Sequence, residues 1–168
     1  MLWNEHAGRV LAYASRHVDA HEAQEIVAET FLVAWRRIQE VPDPPLPWLL
    51  VVARNTISNH VRTTVRRRRT ESEFEKLERL VMPREGVDVT TEERDAVLRG
   101  LRGVSDDDRE VLLLTGWDGL TPAEAAQVLG CSATTYRARL SRARKRFERA
   151  AQADGQSDSA TGFFRRTR

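Results

Sequence analysis

Three groups of side chains in this 168-residue chain have the types and spacing to do chemistry. Glu22, Glu25 and Glu29 stand at i, i+3 and i+7, which on a helix lines three carboxylates along one exposed strip. Asn55, Asn59, Arg62 and Arg66 stand at i, i+4, i+7 and i+11, inside a run from Arg54 to Arg69 that holds six arginines and no acid. A solvated face ordinarily mixes signs, so an arginine and asparagine face without carboxylates points to a polyanion such as nucleic acid. Thr134, Thr135, Arg137, Ala138, Ser141 and Arg142 form the third group, followed by Arg144, Lys145 and Arg146 in a stretch that is free of acids from Cys131 to Phe147. Such side chains read base edges, and the trailing cations suit flanking phosphates.

This is binding chemistry, and bond-breaking chemistry finds no counterpart. His17 and His21 are four residues apart, but a zinc hydrolase needs His-Glu-x-x-His and a third ligand, and the residue after His17 is Val18. Both histidines are expected to be solvated or capping. Cys131, alone in the chain, forms neither a disulfide framework nor a zinc-ligand set, and reads as a small buried hydrophobe. Gly-rich phosphate loops, a nucleophile elbow and a separated acid pair are all absent from the sequence. The expectation is a protein that is not an enzyme and takes no cofactor or metal. The longest apolar run, Leu46 to Ala53, is broken by Pro47 and far shorter than the roughly 20 residues a bilayer needs. No basic start and apolar stretch marks a signal peptide, so a reducing cytosol is the expected compartment.

The elements that must position these groups are helical. Residues 1–69 carry a net charge of +3, residues 70–110 −6, residues 111–151 +4 and the remainder +1. Two basic blocks flank an acidic one, which suggests two modules that meet a polyanion. The expected architecture is all-α, with two small helical domains at 1–69 and 91–151, a flexible acidic linker at 70–90 and a disordered tail at 152–168. In the first domain, apolar stripes with a period of 3.6 run from Trp3 to Val18 and from Ala23 through Trp35 to Ile38. After a proline-rich loop from Val41 to Pro47, a third stripe follows through Leu49, Val52, Ala53, Thr56, Ile57, His60 and Val61.

In the second domain, capping-box patterns at Thr90 to Glu93, Ser105 to Asp108 and Thr121 to Glu124 each precede an apolar stretch. Pro122 stands at a first helical position and Gly130 at a helix end, and Ser132 caps a last helix with Tyr136, Leu140, Ala143 and Phe147 on its buried side. The pair 122–129 and 133 onward makes a helix-turn-helix, whose second helix enters a major groove by its leading end. The competing reading is a helical hairpin with a solvated basic face. The capping box, the glycine turn and the acid-free run occurring together favour the groove.

Three passages resemble the extracytoplasmic-function sigma factors, group 4 of the sigma-70 family: Glu22 to Trp35, Pro47-Trp48-Leu49 through Ala53-Arg54-Asn55, and Leu120 to Phe147. In order and spacing the resemblance covers about residues 3 to 150. It implies a factor that binds core RNA polymerase and gives it promoter choice. By resemblance, Glu22, Glu25 and Glu29 dock on the clamp helices of the polymerase β′ subunit. Trp48, Asn55, Asn59, Arg62 and Arg66 hold the minus 10 element as a single strand, with Trp48 either stacking on a base or anchoring the third helix. Stacking of this kind is worth roughly 1–3 kcal/mol per base. Thr134, Thr135, Arg137, Ala138, Ser141, Arg142 and Lys145 meet the minus 35 element as a duplex. The second domain also meets the β flap, the acidic linker runs through channels that otherwise hold nucleic acid, and an anti-sigma factor is an implied partner.

Two rivals come from other classes. A regulator acting through the helix-turn-helix without polymerase leaves the glutamate strip and the Arg54 to Arg69 block unexplained. A helical RNA-binding adaptor predicts salt-sensitive binding indifferent to base sequence.

Overall fold

The computed structural model describes residues 2–64 and 91–152. Gln152, the first residue of the expected tail, is helical, but the expected linker, the expected tail beyond Gln152, the Thr90 cap and Arg66 lie outside the described residues. These form seven α-helices and one short 3-10 turn, and no strand occurs among them. The helices are α1 (Leu2–Ala14), α2 (Ala20–Arg36), α3 (Leu46–Thr64), α4 (Thr91–Arg102), α5 (Asp106–Gly116), α6 (Pro122–Leu129) and α7 (Ala133–Gln152), with the 3-10 turn at Ile38–Glu40. The chain divides into two compact units, Met1–Leu80 and Val81–Arg168.

In the first unit each of α1, α2 and α3 packs on the other two. Val10, Tyr13, Ile26, Leu49, Leu50 and Ala53 lie at the centre, fully or almost fully buried. The first helix stops at Ala14, four residues short of the end of its stripe. Asp19 must be extended (φ −69°, ψ 171°) for its carboxylate to accept from the Glu22 amide at 2.9 Å and start α2. Val18 stays buried in the turn. The third helix begins at Leu46, inside the expected loop, so Pro47 occupies its first turn, where the missing N–H has no helical partner to lose.

In the second unit α7 is the element the others pack against: α4, α5 and α6 all touch it. Its buried side is Tyr136, Leu140, Ala143, Phe147 and Ala151, a stripe with steps of four, three, four and four. Burying a side chain the size of Phe147 stabilises by roughly 1.5–3 kcal/mol. The approach of α4 is close: a Cβ on Gly100 would run into the Phe147 ring, and one on Gly103 into the Ala150 methyl.

The local signals at α6 hold. The Thr121 hydroxyl accepts from the Glu124 amide at 3.3 Å, the Glu124 carboxylate accepts from the Thr121 amide at 2.7 Å, and Gly130 ends the helix at φ +64°. Ser105 at the start of α5 is only half of the expected box. Its hydroxyl accepts from the Asp108 amide at 3.2 Å, while the Asp108 carboxylate is engaged by Arg146 at 2.6 Å. A stronger, charged donor across the domain takes the carboxylate that a purely local motif would have returned to Ser105.

Candidate nucleic-acid and partner interfaces

The exposed side of α7 is set by its start. Ser132 accepts from the Thr135 amide at 3.1 Å, and its hydroxyl also bonds the Thr135 hydroxyl at 2.8 Å. The tight turn before it leaves Gly130 in the left-handed region that glycine adopts without strain. With the stripe from Tyr136 to Ala151 turned inward, Thr134, Thr135, Arg137, Ala138, Ser141, Arg142 and Lys145 are all exposed. Arg142 rests one N–H on the Ala138 carbonyl at 3.3 Å. A helix edge of hydroxyls, a methyl and guanidinium groups without an acid can donate to guanine O6 and N7 and meet a thymine methyl in a major groove. Of the trailing cations, Lys145 is exposed, Arg144 half-buried, and Arg146 is turned to Asp108.

Beneath this surface lies Tyr136, fully buried, whose O–H donates to the Val111 carbonyl at 2.7 Å and lies 2.7 Å from the Thr115 hydroxyl. Desolvation pushes its phenol up to about 12, so it is a neutral donor at every physiological pH. Periodicity alone places Tyr136 in the core but says nothing of where its hydroxyl goes.

On α2, Glu25 and Glu29 are exposed and Glu22 is half-buried. Glu25 lies 3.6 Å from His21, and Glu29 meets the His60 ring of α3 at 3.2 Å. The strip is thus present along the helix, with its last member tied to α3. Beside it the apolar stripe departs from expectation. Ile26, Val27 and Ala34 are buried, but Ile38 is about half exposed and Trp35 is 75% exposed; Leu32, outside the expected stripe, is about half exposed beside them. Trp3, also exposed, packs edge-on against Phe31 with ring centroids 4.7 Å apart. The readable signal is width: Phe31 and Leu32 are consecutive, so the apolar arc of α2 is broader than one neighbouring helix covers.

On α3, Asn55 and Asn59 are exposed and Trp48 is half-buried, so the tryptophan is neither a free platform nor a sealed anchor. Arg62 lies on the same helix, its side chain beyond the described ones, and Arg66 lies outside the described residues.

His17 differs from expectation. Its Nε2 is closed off from solvent, its ring lies against Tyr13 with centroids 4.9 Å apart, and desolvation, helped by Arg16 and Arg54, holds its pKa down to about 4. Its place beside Tyr13 and near Arg16 and Arg54, which sequence spacing does not show, leaves it half-buried and neutral. Cys131 is half-buried at the turn. Among the described residues no cluster of three or more metal-ligating side chains occurs, and no helix is long and apolar enough to cross a membrane.

Residues 2–68 match the family described as Sigma-70 region 2, and residues 94–147 match Sigma-70, region 4. The chain is 34% identical over 164 residues to the ECF RNA polymerase sigma factor SigC of Mycobacterium tuberculosis (strain CDC 1551 / Oshkosh), covering 92% of this chain and 80% of that protein. It is 26% identical over 156 residues to the ECF RNA polymerase sigma-E factor of Escherichia coli (strain K12), covering 86% and 81%. Among solved structures, the sigma factor RpoE in complex with the anti-sigma factor NepR from Bartonella quintana aligns with a TM-score of 0.63 at 23% identity, over 88% of this chain and 92% of that one. CnrH, solved with the cytosolic domain of CnrY, aligns with a TM-score of 0.57 at 28% identity, over 93% and 87%. A region 2 match over the glutamate strip and the arginine block gives both a place that a helix-turn-helix regulator acting alone does not. Two matched regions in the expected order, together with a relative alike over nearly the whole chain, place this protein in the sigma-70 family as an extracytoplasmic-function sigma factor, which binds RNA polymerase and directs promoter-specific transcription initiation.

Proposed function

We propose that the two units divide promoter recognition as follows. The exposed edge of α7, through Thr134, Thr135, Arg137, Ala138, Ser141, Arg142 and Lys145, reads the minus 35 element as a duplex. The exposed edge of α3, through Asn55, Asn59 and Arg62, continued by Arg66 and assisted by Trp48, holds the minus 10 element as a single strand. Glu22, Glu25 and Glu29 of α2, with the apolar shelf of Trp35, Leu32 and Ile38 beside them, dock on the β′ clamp helices of core polymerase. The second unit meets the β flap, and the functional domains run over 1–69 and 91–151, joined by the linker 70–90. The protein acts in the bacterial cytoplasm as a group 4 factor, without catalysis or cofactor of its own.

The observation that carries this reading is that all seven readout residues of α7 are exposed, on a helix whose opposite side is buried and whose start is capped. An anti-sigma partner is supported by the RpoE structure, which was solved as a complex with one.

The test is run-off transcription with purified core polymerase on a promoter library, with and without the protein, then with Glu25→Lys and Glu29→Lys. Start sites that require the protein, share two upstream elements and vanish with the charge reversals are the expected result. Start sites that survive both reversals would remove α2 from the docking surface. An absence of protein-dependent start sites, with specific duplex binding by the protein alone, would refute the division of labour altogether.

A further inference from the structure

Tyr136 lies on the buried side of α7 between the side chains that face outward: Thr134 and Thr135 precede it, and Arg137 and Ala138 follow it. Its O–H donates to the Val111 carbonyl, and a phenol has one proton, so the Thr115 hydroxyl must be the donor in their shared 2.7 Å contact. The result is a directed chain, from the Thr115 O–H to the Tyr136 O–H to the Val111 carbonyl, fastening the leading end of α7 to α5. The next buried anchors, Leu140 and Ala143, are apolar. Apolar packing opposes separation and limits gross rotation, but it is non-directional as a force, so it fixes the fine roll of the leading end less sharply than a hydrogen bond of defined angle. The ion pair between Arg146 and Asp108 does have direction, but it lies ten residues further on, about 15 Å along the helix, on a side chain that is 56% exposed.

A roll matters unequally to the two kinds of DNA contact. Bidentate bonds to base edges weaken steeply as their angles close, whereas a cation near a phosphate tolerates displacement. Loosening the leading end should therefore cost discrimination between sequences before it costs affinity for DNA in general.

We propose that Tyr136 is a positioning residue for duplex recognition: its hydroxyl, held between Thr115 and Val111, sets the roll of α7 and with it the aim of Thr134, Arg137, Ala138 and Ser141. The proposal rests on the reading of α7 as the minus 35 helix. Tyr136 itself touches no base.

The experiment uses full-length protein assembled with core polymerase. The probes are a promoter duplex recovered by the wild-type holoenzyme from a library randomised at minus 35, and the same duplex with that element scrambled. Tyr136→Phe should lower the ratio of affinities for the two duplexes about tenfold, the scale of one good base contact, while binding to the scrambled duplex and its salt dependence stay unchanged. Loss of stability alone is separated by Thr115→Val combined with Tyr136→Phe. Removing both polar partners should bring the urea midpoint back toward wild type, because no buried hydroxyl is left unpaired. The affinity ratio should stay low. A ratio that recovers together with the midpoint, or a Tyr136→Phe protein with the wild-type ratio, would overturn the proposal. In the protein without DNA, backbone amide exchange over the first two turns of α7 should be faster in Tyr136→Phe. If the wild-type holoenzyme itself fails to distinguish the duplexes, the minus 35 reading falls, and the exchange decides the positioning role: unchanged exchange refutes it.

Discussion

Arg146 of α7 donates to the Asp108 carboxylate of α5 at 2.6 Å, with the arginine side chain about half exposed and the aspartate nearly buried. The middle of the three consecutive cations at 144–146 therefore has a different physical task from the last. Lys145 projects into solvent and Arg146 braces the domain.

That division predicts opposite signatures. Arg146→Gln strands a nearly buried carboxylate and should destabilise the second unit by about 1–2 kcal/mol, the discount from a fully buried pair reflecting the exposed arginine. Lys145→Gln should leave stability unchanged and reduce the slope of DNA affinity against salt by about one phosphate contact. Urea unfolding and binding titrations at three salt concentrations measure both. Equal salt slopes for Lys145→Gln and wild type would count against the phosphate contact.

The proposed polymerase face on α2 should depend on apolar contact as much as on charge. Trp35 is 75% exposed, so Trp35→Ala should cost almost no stability. A tryptophan that becomes buried on association behaves as a hot spot worth about 2 kcal/mol or more, roughly a thirtyfold loss of affinity for core polymerase. Competition for core polymerase against labelled wild-type protein provides the measurement. Undiminished competition by a folded Trp35→Ala protein would exclude the shelf.

Acid should weaken the first unit through His17. Its folded pKa, about 4, lies below the ordinary histidine value of about 6.5, so between these values the unfolded chain binds the proton and the folded one does not. Stability is retained above about pH 6.5 and lost as the pH falls toward 4, by at most roughly 3 kcal/mol. His6, whose pKa desolvation also lowers, adds in the same direction. The urea midpoint of wild type should drop between pH 7 and 5 by more than that of His17→Gln. Parallel pH profiles for the two proteins would contradict this.

Gly100 should tolerate no side chain. A Cβ there meets the Phe147 ring, and both helices are held by further packing, so Gly100→Ala should destabilise by about 1–3 kcal/mol despite alanine's better helix propensity. Gly8, on α1, has open space at the same test, and Gly8→Ala should stabilise by about 0.5–1 kcal/mol. Thermal melting of the two variants checks the signs, and a rise in melting temperature for Gly100→Ala would show that the ring gives way.

What could be read from residue order alone follows a physical boundary. The start and end of α6 were legible because every partner lies within three or four residues: Thr121 with Glu124, Pro122 in the first turn, Gly130 at the end. The buried stripe of α7 was legible because it repeats with the helical period. The ion pair of Arg146 with Asp108 is not legible in residue order because the two lie 38 residues apart. The shielding of His17 is not legible locally, because it depends on the Tyr13 ring and on the approach of α3, which carries Arg54. Trp35 and Ile38 share the stripe of Ile26, and only the reach of the neighbouring helices decides where that stripe leaves the core.

The buried stripe and the proposed readout edge of α7 use no position in common: Tyr136, Leu140, Ala143, Phe147 and Ala151 face in, while Thr134, Arg137, Ala138, Ser141 and Arg142 face out. Surface substitutions cost little stability. Where this edge reads the minus 35 element as proposed, promoter preference can drift, or be rewritten by design, through solvent-facing letters that folding does not constrain, and a lineage carrying this domain can acquire new target genes without first passing through an unstable intermediate.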